Sequence, residues 1–240
     1  GLFAGGEDEL LVDQDDNPNG FWERTDVVGL NDAILTDSAG AWFNPPGAIS
    51  SSEETNATAI AILSRLGARS PWLVKDPRMV ITWPVWEELL TDALPVYVYR
   101  NPVSVAISLQ RRNQFPLTFS FALWEHYNRC CLGILQGREY VAVSFDDVSA
   151  DPARVLGKLE ADLIEKGVTL SEPLSPGAFD AGLKRSVAKN SDSRAALLTA
   201  EQRQLASYCE SLCSGDTAGE LPPDESDLLP RIHDLASALE

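Results

Sequence analysis

Pro95-Val96-Tyr97-Val98-Tyr99-Arg100-Asn101-Pro102-Val103-Ser104-Val105-Ala106-Ile107-Ser108 is the stretch on which the fold of this 240-residue chain turns. The alternating Val and Tyr residues predict a strand that ends at Arg100. Asn101 is a good helix cap, and Pro102 suits the first helical turn. The segment therefore reads as strand, tight turn, helix.

The pattern repeats on either side. Upstream, Trp72-Leu73-Val74 is a short apolar run that ends at Lys75-Asp76-Pro77-Arg78, followed by a helical stretch through Trp86, Leu89 and Leu90. Earlier still, Val27, Val28, Leu30, Ile34 and Leu35 recur at helical spacing, with Gly40 as a stop. Ser51 to Glu54 has the form of a capping box, opening a helix that carries Ile60, Leu63 and Leu66 and ends at Gly67. Downstream, a long helix is predicted from Thr118 to Gln136 and a buried strand over Tyr140-Val141-Ala142-Val143, ending near Ser144-Phe145-Asp146-Asp147. Asp151-Pro152 opens one more helix, with Val155, Leu156, Leu159 and Leu163 on one face. Residues 170–195 lack clear periodicity, and the acidic stretch from Gly215 to Asp227 reads as a connector before a last short helix.

Strands that alternate with helices imply parallel βαβ units. The expected fold is α/β: three layers, α/β/α, around a central parallel sheet, with a helix-rich C-terminal third, in one domain spanning 1–240. Such sheets take their ligands at the carboxyl ends of the strands. Lys75, Arg100 and Asp146 all fall at such ends.

The formal net charge of −17 argues against a nucleic-acid surface, which needs a basic stripe. A polyanionic ligand would need a site made locally positive by a few placed Lys and Arg. No run of eighteen apolar residues is present, so no membrane span is expected. No basic-then-apolar leader opens the chain, so no signal peptide is expected. The four cysteines, Cys130, Cys131, Cys209 and Cys213, read as reduced, partly buried thiols of a cytoplasmic protein. With two histidines in the chain, a zinc site has few partners. The sequence leaves the oligomeric state open.

Arg100 stands at a strand end, just before a helix whose N–H groups and dipole favour an anion. Ser104, Ser108 and Arg111 or Arg112 share one helical face by spacing. An arginine fork beside a serine hydroxyl can cradle a phosphate. A plain surface arginine is the competing reading.

This segment resembles the 3′-phosphate-binding strand–turn–helix of the sulfotransferases that use 3′-phosphoadenosine-5′-phosphosulfate (PAPS). There an arginine ends a strand and a serine follows eight positions on, as Arg100 and Ser108 do here. Val141-Ala142-Val143-Ser144-Phe145-Asp146-Asp147 and Asp151-Pro152 resemble the same family's later strand, acidic pair and helix start. Asp16-Asn17-Pro18-Asn19-Gly20-Phe21-Trp22-Glu23 followed by Asn31 is similar to a segment of bacterial members. Lys75-Asp76-Pro77 is similar to the Lys-Asp-Pro of the protein-tyrosine sulfotransferases. The resemblance covers roughly residues 10 to 165 of the chain.

The family's fold is P-loop NTPase-like, and it binds the 5′-phosphosulfate with a glycine- and serine/threonine-rich loop after the first strand. No such loop is found in this sequence. The resemblance therefore implies a chain that begins about one strand–loop–helix unit late, a unit of roughly 30 residues. A truncated chain and a degenerate, inactive member both fit.

The activity implied is transfer of a sulfuryl group from PAPS, with adenosine 3′,5′-bisphosphate (PAP) as product, to a hydroxyl of a carbohydrate or small molecule. No metal is expected, because Lys and Arg supply the positive charge. Glu23 is the favoured general base; the alternative is that it caps the helix starting near Thr25–Asp26. His126, within Trp124-Glu125-His126-Tyr127, is the rival base. Lys75 would stabilise charge on the transferring group, or form a salt bridge with Asp76 or another acid. Arg78 would reach cofactor or acceptor, or neutralise Asp146 or Asp147. Lys184-Arg185 matches a late basic segment over the cofactor, or is a solvated pair. Trp22, Trp83, Trp86 and Trp42-Phe43 could stack on a sugar, although core is the expectation for most of them. The competing classes are a nucleotide or small-molecule kinase of related fold, which would need a Walker lysine, and a non-catalytic sulfotransferase-like interaction domain.

Overall fold

A computed structural model describes residues 2–11, 22–175, 192–215, 220–223 and 227–239. The architecture is mixed α/β and rich in helix, with one two-stranded parallel sheet among the described residues. Two compact units make up the chain: Gly1–Ala93 with Val168–Pro173, and Leu94–Gly167 with Leu174–Glu240.

The first unit is built on three helices, α1 (Thr25–Asp37), α2 (Glu53–Gly67) and α3 (Met79–Trp86). Their apolar faces meet in one core of Val27, Leu30 and Ile34 from α1, Ala59, Ile62 and Leu66 from α2, and Val85 and Trp86 from α3. Each aliphatic side chain buried this fully contributes about 1.5–3 kcal/mol.

Local details differ from the sequence reading. The cap of α2 is Ser52, not Ser51: its Oγ accepts from the Thr55 amide at 3.1 Å. The buried face of α2 runs through Thr55, Ala59, Ile62 and Leu66, which leaves Ile60 in solvent. Helix α1 ends with Ala39, not Gly40, in the left-handed region at φ 56°. The Gly40 amide then bonds to the Leu35 carbonyl at 2.8 Å and the Ala39 amide to Thr36 at 2.9 Å, a Schellman closure. Gly40 is needed for closeness instead, since a Cβ there would stand 2.6 Å from Pro46 Cδ. Helix α3 stops at Trp86, short of Leu89 and Leu90. Pro84 lies inside it and removes one helix hydrogen bond. The apolar run at Trp72 makes a single parallel bridge to Phe3 rather than a full strand.

The second unit holds the βαβ segment. Strands β1 (Val96–Tyr99) and β2 (Val141–Ser144) pair in parallel, from Val96 opposite Val141 to Tyr99 opposite Ser144. Between them run α4 (Pro102–Asn113) and α5 (Leu117–Leu135). After β2 come α6 (Phe145–Ala150), α7 (Pro152–Glu165), a short 3-10 turn at Ser193–Leu197, α8 (Ala200–Ser214) and α9 (Leu228–Ser237). Tyr97 and Tyr99 point into a core with Trp124, Leu132, Leu135, Leu205 and Cys209. The opposite side of β1 is open: Val98 is 58% exposed.

Helix α6 was not anticipated. The strand ends at Ser144, whose hydroxyl caps the new helix by accepting from the Asp147 amide at 3.2 Å. Asp151 caps α7 through Arg154 N at 3.2 Å, as Asp-Pro predicts. Glu125, fully buried on α5, ties the C-terminal helices together. It accepts from Arg129 Nε at 3.0 Å and from Gln202 of α8 at 3.2 Å, with Arg129 Nη2 at 2.9 Å and Arg231 of α9 at 3.5 Å. All four cysteines are free thiols. Burial pushes three of them up, Cys131 and Cys213 to about 12 and Cys209 to about 11, which leaves them poor nucleophiles. Among the described residues, no helix is long and apolar enough to cross a membrane.

Candidate functional site

In the first unit the structure gathers Glu23, Lys75 and Arg78. The backbone before α1 is pinned where the Leu11 amide donates to the Glu23 carbonyl at 2.8 Å. The next residue, Arg24, is itself buried, and its guanidinium holds Glu9 and Asp26 at 2.8–3.1 Å. Glu23 is thereby fixed with its side chain only 8% exposed. Lys75 Nζ donates to Glu23 Oε1 at 2.6 Å, and Arg78 Nη1 lies 3.7 Å from Oε2. The acid on the helix start is Asp26, whose Oδ1 accepts from the Val27 amide at 2.9 Å. Glu23 is thus not the cap of α1. The Lys75 ammonium, on a half-exposed side chain, pairs with Glu23 rather than Asp76.

Arg78 is held from three sides. Asp76 Oδ1 accepts from its Nη1 at 3.0 Å and from its amide at 2.9 Å, and Nε lies 2.7 Å from Asp32. Burial works against its charge, but Asp76, Asp32 and Glu23 outweigh that and raise its pKa. Its acids within this unit are thus Asp76, Asp32 and Glu23.

Beneath this cluster lies a network that sequence reasoning did not assemble. Asn31 Nδ2 donates to Asp76 Oδ2 at 2.9 Å. Asn31 Oδ1 accepts from Thr82 Oγ1 at 2.7 Å and from Trp86 Nε1 at 2.9 Å. The available signal was an asparagine on the apolar face of a predicted helix, where a buried polar group demands partners.

In the second unit Arg100 ends β1, as expected. Its guanidinium lies over the Phe145 ring, 4.7 Å from the centroid, and its carbonyl accepts from Trp124 Nε1 at 3.0 Å. Burial lowers the guanidinium pKa, and nearby Asp146 opposes that fall. Asn101 caps α4 by accepting from the Val103 amide at 3.0 Å and the Ser104 amide at 3.4 Å. Its own amide donates to Asp146 Oδ2 at 3.2 Å.

These bonds change the expected chemistry. The helix-start amides foreseen as anion donors are taken by Asn101, so an anion here must be held by side chains and the helix dipole. Ser104 is fully buried and Ser108, one turn on, half-buried. Arg111 and Arg112 are exposed. His126, on α5, is half-buried with Nε2 3.7 Å from Cys130 Sγ. Lys184 and Arg185 lie outside the described residues.

Among the described residues, no three His, Cys, Asp or Glu side chains cluster to hold a metal ion. Comparison with protein-family models, with curated proteins and with solved structures finds no match to this chain.

Proposed function

We propose that this chain is a PAPS-dependent sulfotransferase of three-layer α/β/α architecture, acting on a hydroxyl of a carbohydrate or small molecule. The observation that carries the reading is the strand-to-helix corner at Arg100. A parallel strand runs straight into Arg100, a half-buried residue whose guanidinium lies over Phe145, and α4 follows at once with Ser108 on it. Anion ligands are favoured at such a corner by the helix dipole and by the charge-assisted hydrogen bonds of arginine. The resemblance assigns Arg100 and Ser108 to a 3′-phosphate. Asp146 lies near Arg100, so a phosphate there competes with that carboxylate for the guanidinium.

PAPS, when bound, supplies the sulfuryl group and leaves as PAP. The residues of this chain bind, orient and move a proton. Glu23 takes the acceptor proton at its carboxylate, as a general base. On the resemblance, Lys75 would offer its ammonium, carried on a half-exposed side chain, to the charge of the transferring group. Arg78, fixed by Asp76 and Asp32, keeps a positive charge beside Glu23. Lys184 and Arg185 are assigned to the cofactor on resemblance alone, and His126 remains the rival base.

The test is a melting curve with PAP, and with 5′-AMP as control. A ligand at a hundred times its dissociation constant stabilises by about 2.7 kcal/mol, a shift of a few degrees. A shift with PAP and none with AMP is expected. Equal shifts, or none with either, would remove the 3′-phosphate site from this chain.

The general base is tested separately. Glu23→Gln should lower turnover about 10²- to 10⁴-fold while the PAP shift persists. A Glu23→Gln enzyme running at full rate would transfer the role to His126.

A further inference from the structure

Three residues other than glycine have positive φ among the described residues: Ala39 and Trp22 at 56°, and Gln114 at 59°. Two of them have an ordinary reason. Ala39 closes α1, and Gln114 is the left-handed cap of α4. Trp22 closes none of the described helices. It stands three residues before α1 begins, in a conformation that costs a bulky residue about 1–2 kcal/mol. Its side chain is not rewarded with burial either, for at 63% it is the most open of the exposed large apolar residues. The fold thus keeps a strained backbone and leaves an indole in water. The next residue along the chain is Glu23, whose carboxylate meets Lys75 at 2.6 Å.

The geometry points to Trp22 as the acceptor platform of this site, with an uncharged pyranose as the acceptor. This rests on Glu23 being the base that faces the acceptor hydroxyl. The C–H face of a pyranose stacks on the indole, and its hydroxyl edge reaches the Glu23–Lys75 pair one residue away. A sterol or phenol would instead be taken by a concave, mostly apolar pocket. Glu23 is paired with an ammonium and a guanidinium, and that guanidinium also holds the half-exposed carboxylate of Asp32, groups that suit hydroxyls. An anionic polysaccharide is disfavoured by the carboxylates of Glu23 and Asp32 and by the net charge of −17, because like charges repel at the approach.

The experiment titrates the full chain with methyl β-glucopyranoside, methyl β-galactopyranoside and cellobiose. A sulfated disaccharide and p-nitrophenol serve as contrasts. Binding is read by saturation-transfer NMR and tryptophan fluorescence, and the PAP melting shift is recorded alongside. Saturable binding of a neutral sugar is expected, weakened at least about tenfold by Trp22→Ala and largely restored by Trp22→Phe. The PAP shift should be equal in all three proteins. Sugar binding that Trp22→Ala leaves intact, no saturable neutral sugar, or tighter binding of p-nitrophenol or the sulfated sugar overturns the platform while a PAP shift keeps the sulfotransferase reading. Loss of the PAP shift in the unaltered chain removes the sulfotransferase reading and with it the acceptor role of Trp22, and sugar binding that depends on Trp22 would then stand as a sugar site without that chemistry.

Discussion

Asn31→Ala should destabilise the first unit by about 3–5 kcal/mol, measured by urea or thermal unfolding. The side chain is fully buried and makes three hydrogen bonds, to Asp76, Thr82 and Trp86. Truncation orphans the Trp86 N–H and one oxygen of the Asp76 carboxylate, whose side chain has no exposed surface. Each buried group left unsatisfied costs about 1–3 kcal/mol, more when charged. Thr82 suffers least, because its hydroxyl also donates to the Arg78 carbonyl at 3.2 Å. Asn31→Asp should be no milder. It removes the donor to Asp76 and sets a second carboxylate 2.9 Å from the first. The damage reaches the site, since the other oxygen of Asp76 holds Arg78 at its amide and at Nη1. A stability loss below 1 kcal/mol in Asn31→Ala would mean that this network is not closed in solution.

Arg100→Ala should weaken PAP by about 2–4 kcal/mol, roughly 30- to 700-fold, and so erase the PAP-dependent rise in melting temperature. With the α4 amides occupied by Asn101, no backbone donor replaces the lost guanidinium. Some loss of stability will accompany the change, because the contact over Phe145 disappears, worth about 0.5–2 kcal/mol. Arg100→Lys separates the two effects. It keeps a charge at the strand end but not the planar fork, so PAP binding should be intermediate. An unchanged PAP affinity in Arg100→Ala would refute the phosphate assignment.

The strand, cap and helix around Arg100 were legible because every signal there is local. Tyr97 and Tyr99 alternate with valines, Asn101 precedes Pro102, and the partners of that cap lie two and three residues away. The parallel pairing of β1 with β2 followed from the helices between them. What the sequence hid depends on partners far along the chain. Ser51 and Ser52 both carry a hydroxyl, and the choice between them follows from which face of α2 meets Val27 and Trp86. Helix α6 is too short, at six residues, to show a period. Asn31 finds its partners 45 to 55 residues downstream. The Glu23–Lys75 contact joins residues 52 apart, a separation that no local pattern spans.

The pairing of β1 with β2 also orders events in time. Val96 faces Val141, so a loop of about 45 residues must close before the first rung of the ladder forms. Closing it loses chain entropy in advance of any return. Helices α4 and α5 are neighbours in sequence and pack on each other, so they can form first and shorten the effective search. In the second unit the two strands should therefore meet late, after the helical hairpin between them has docked. Until then the backbone edge of β1 and its Tyr97 and Tyr99 side stand bare in water, and crowded refolding will lose most material at that stage.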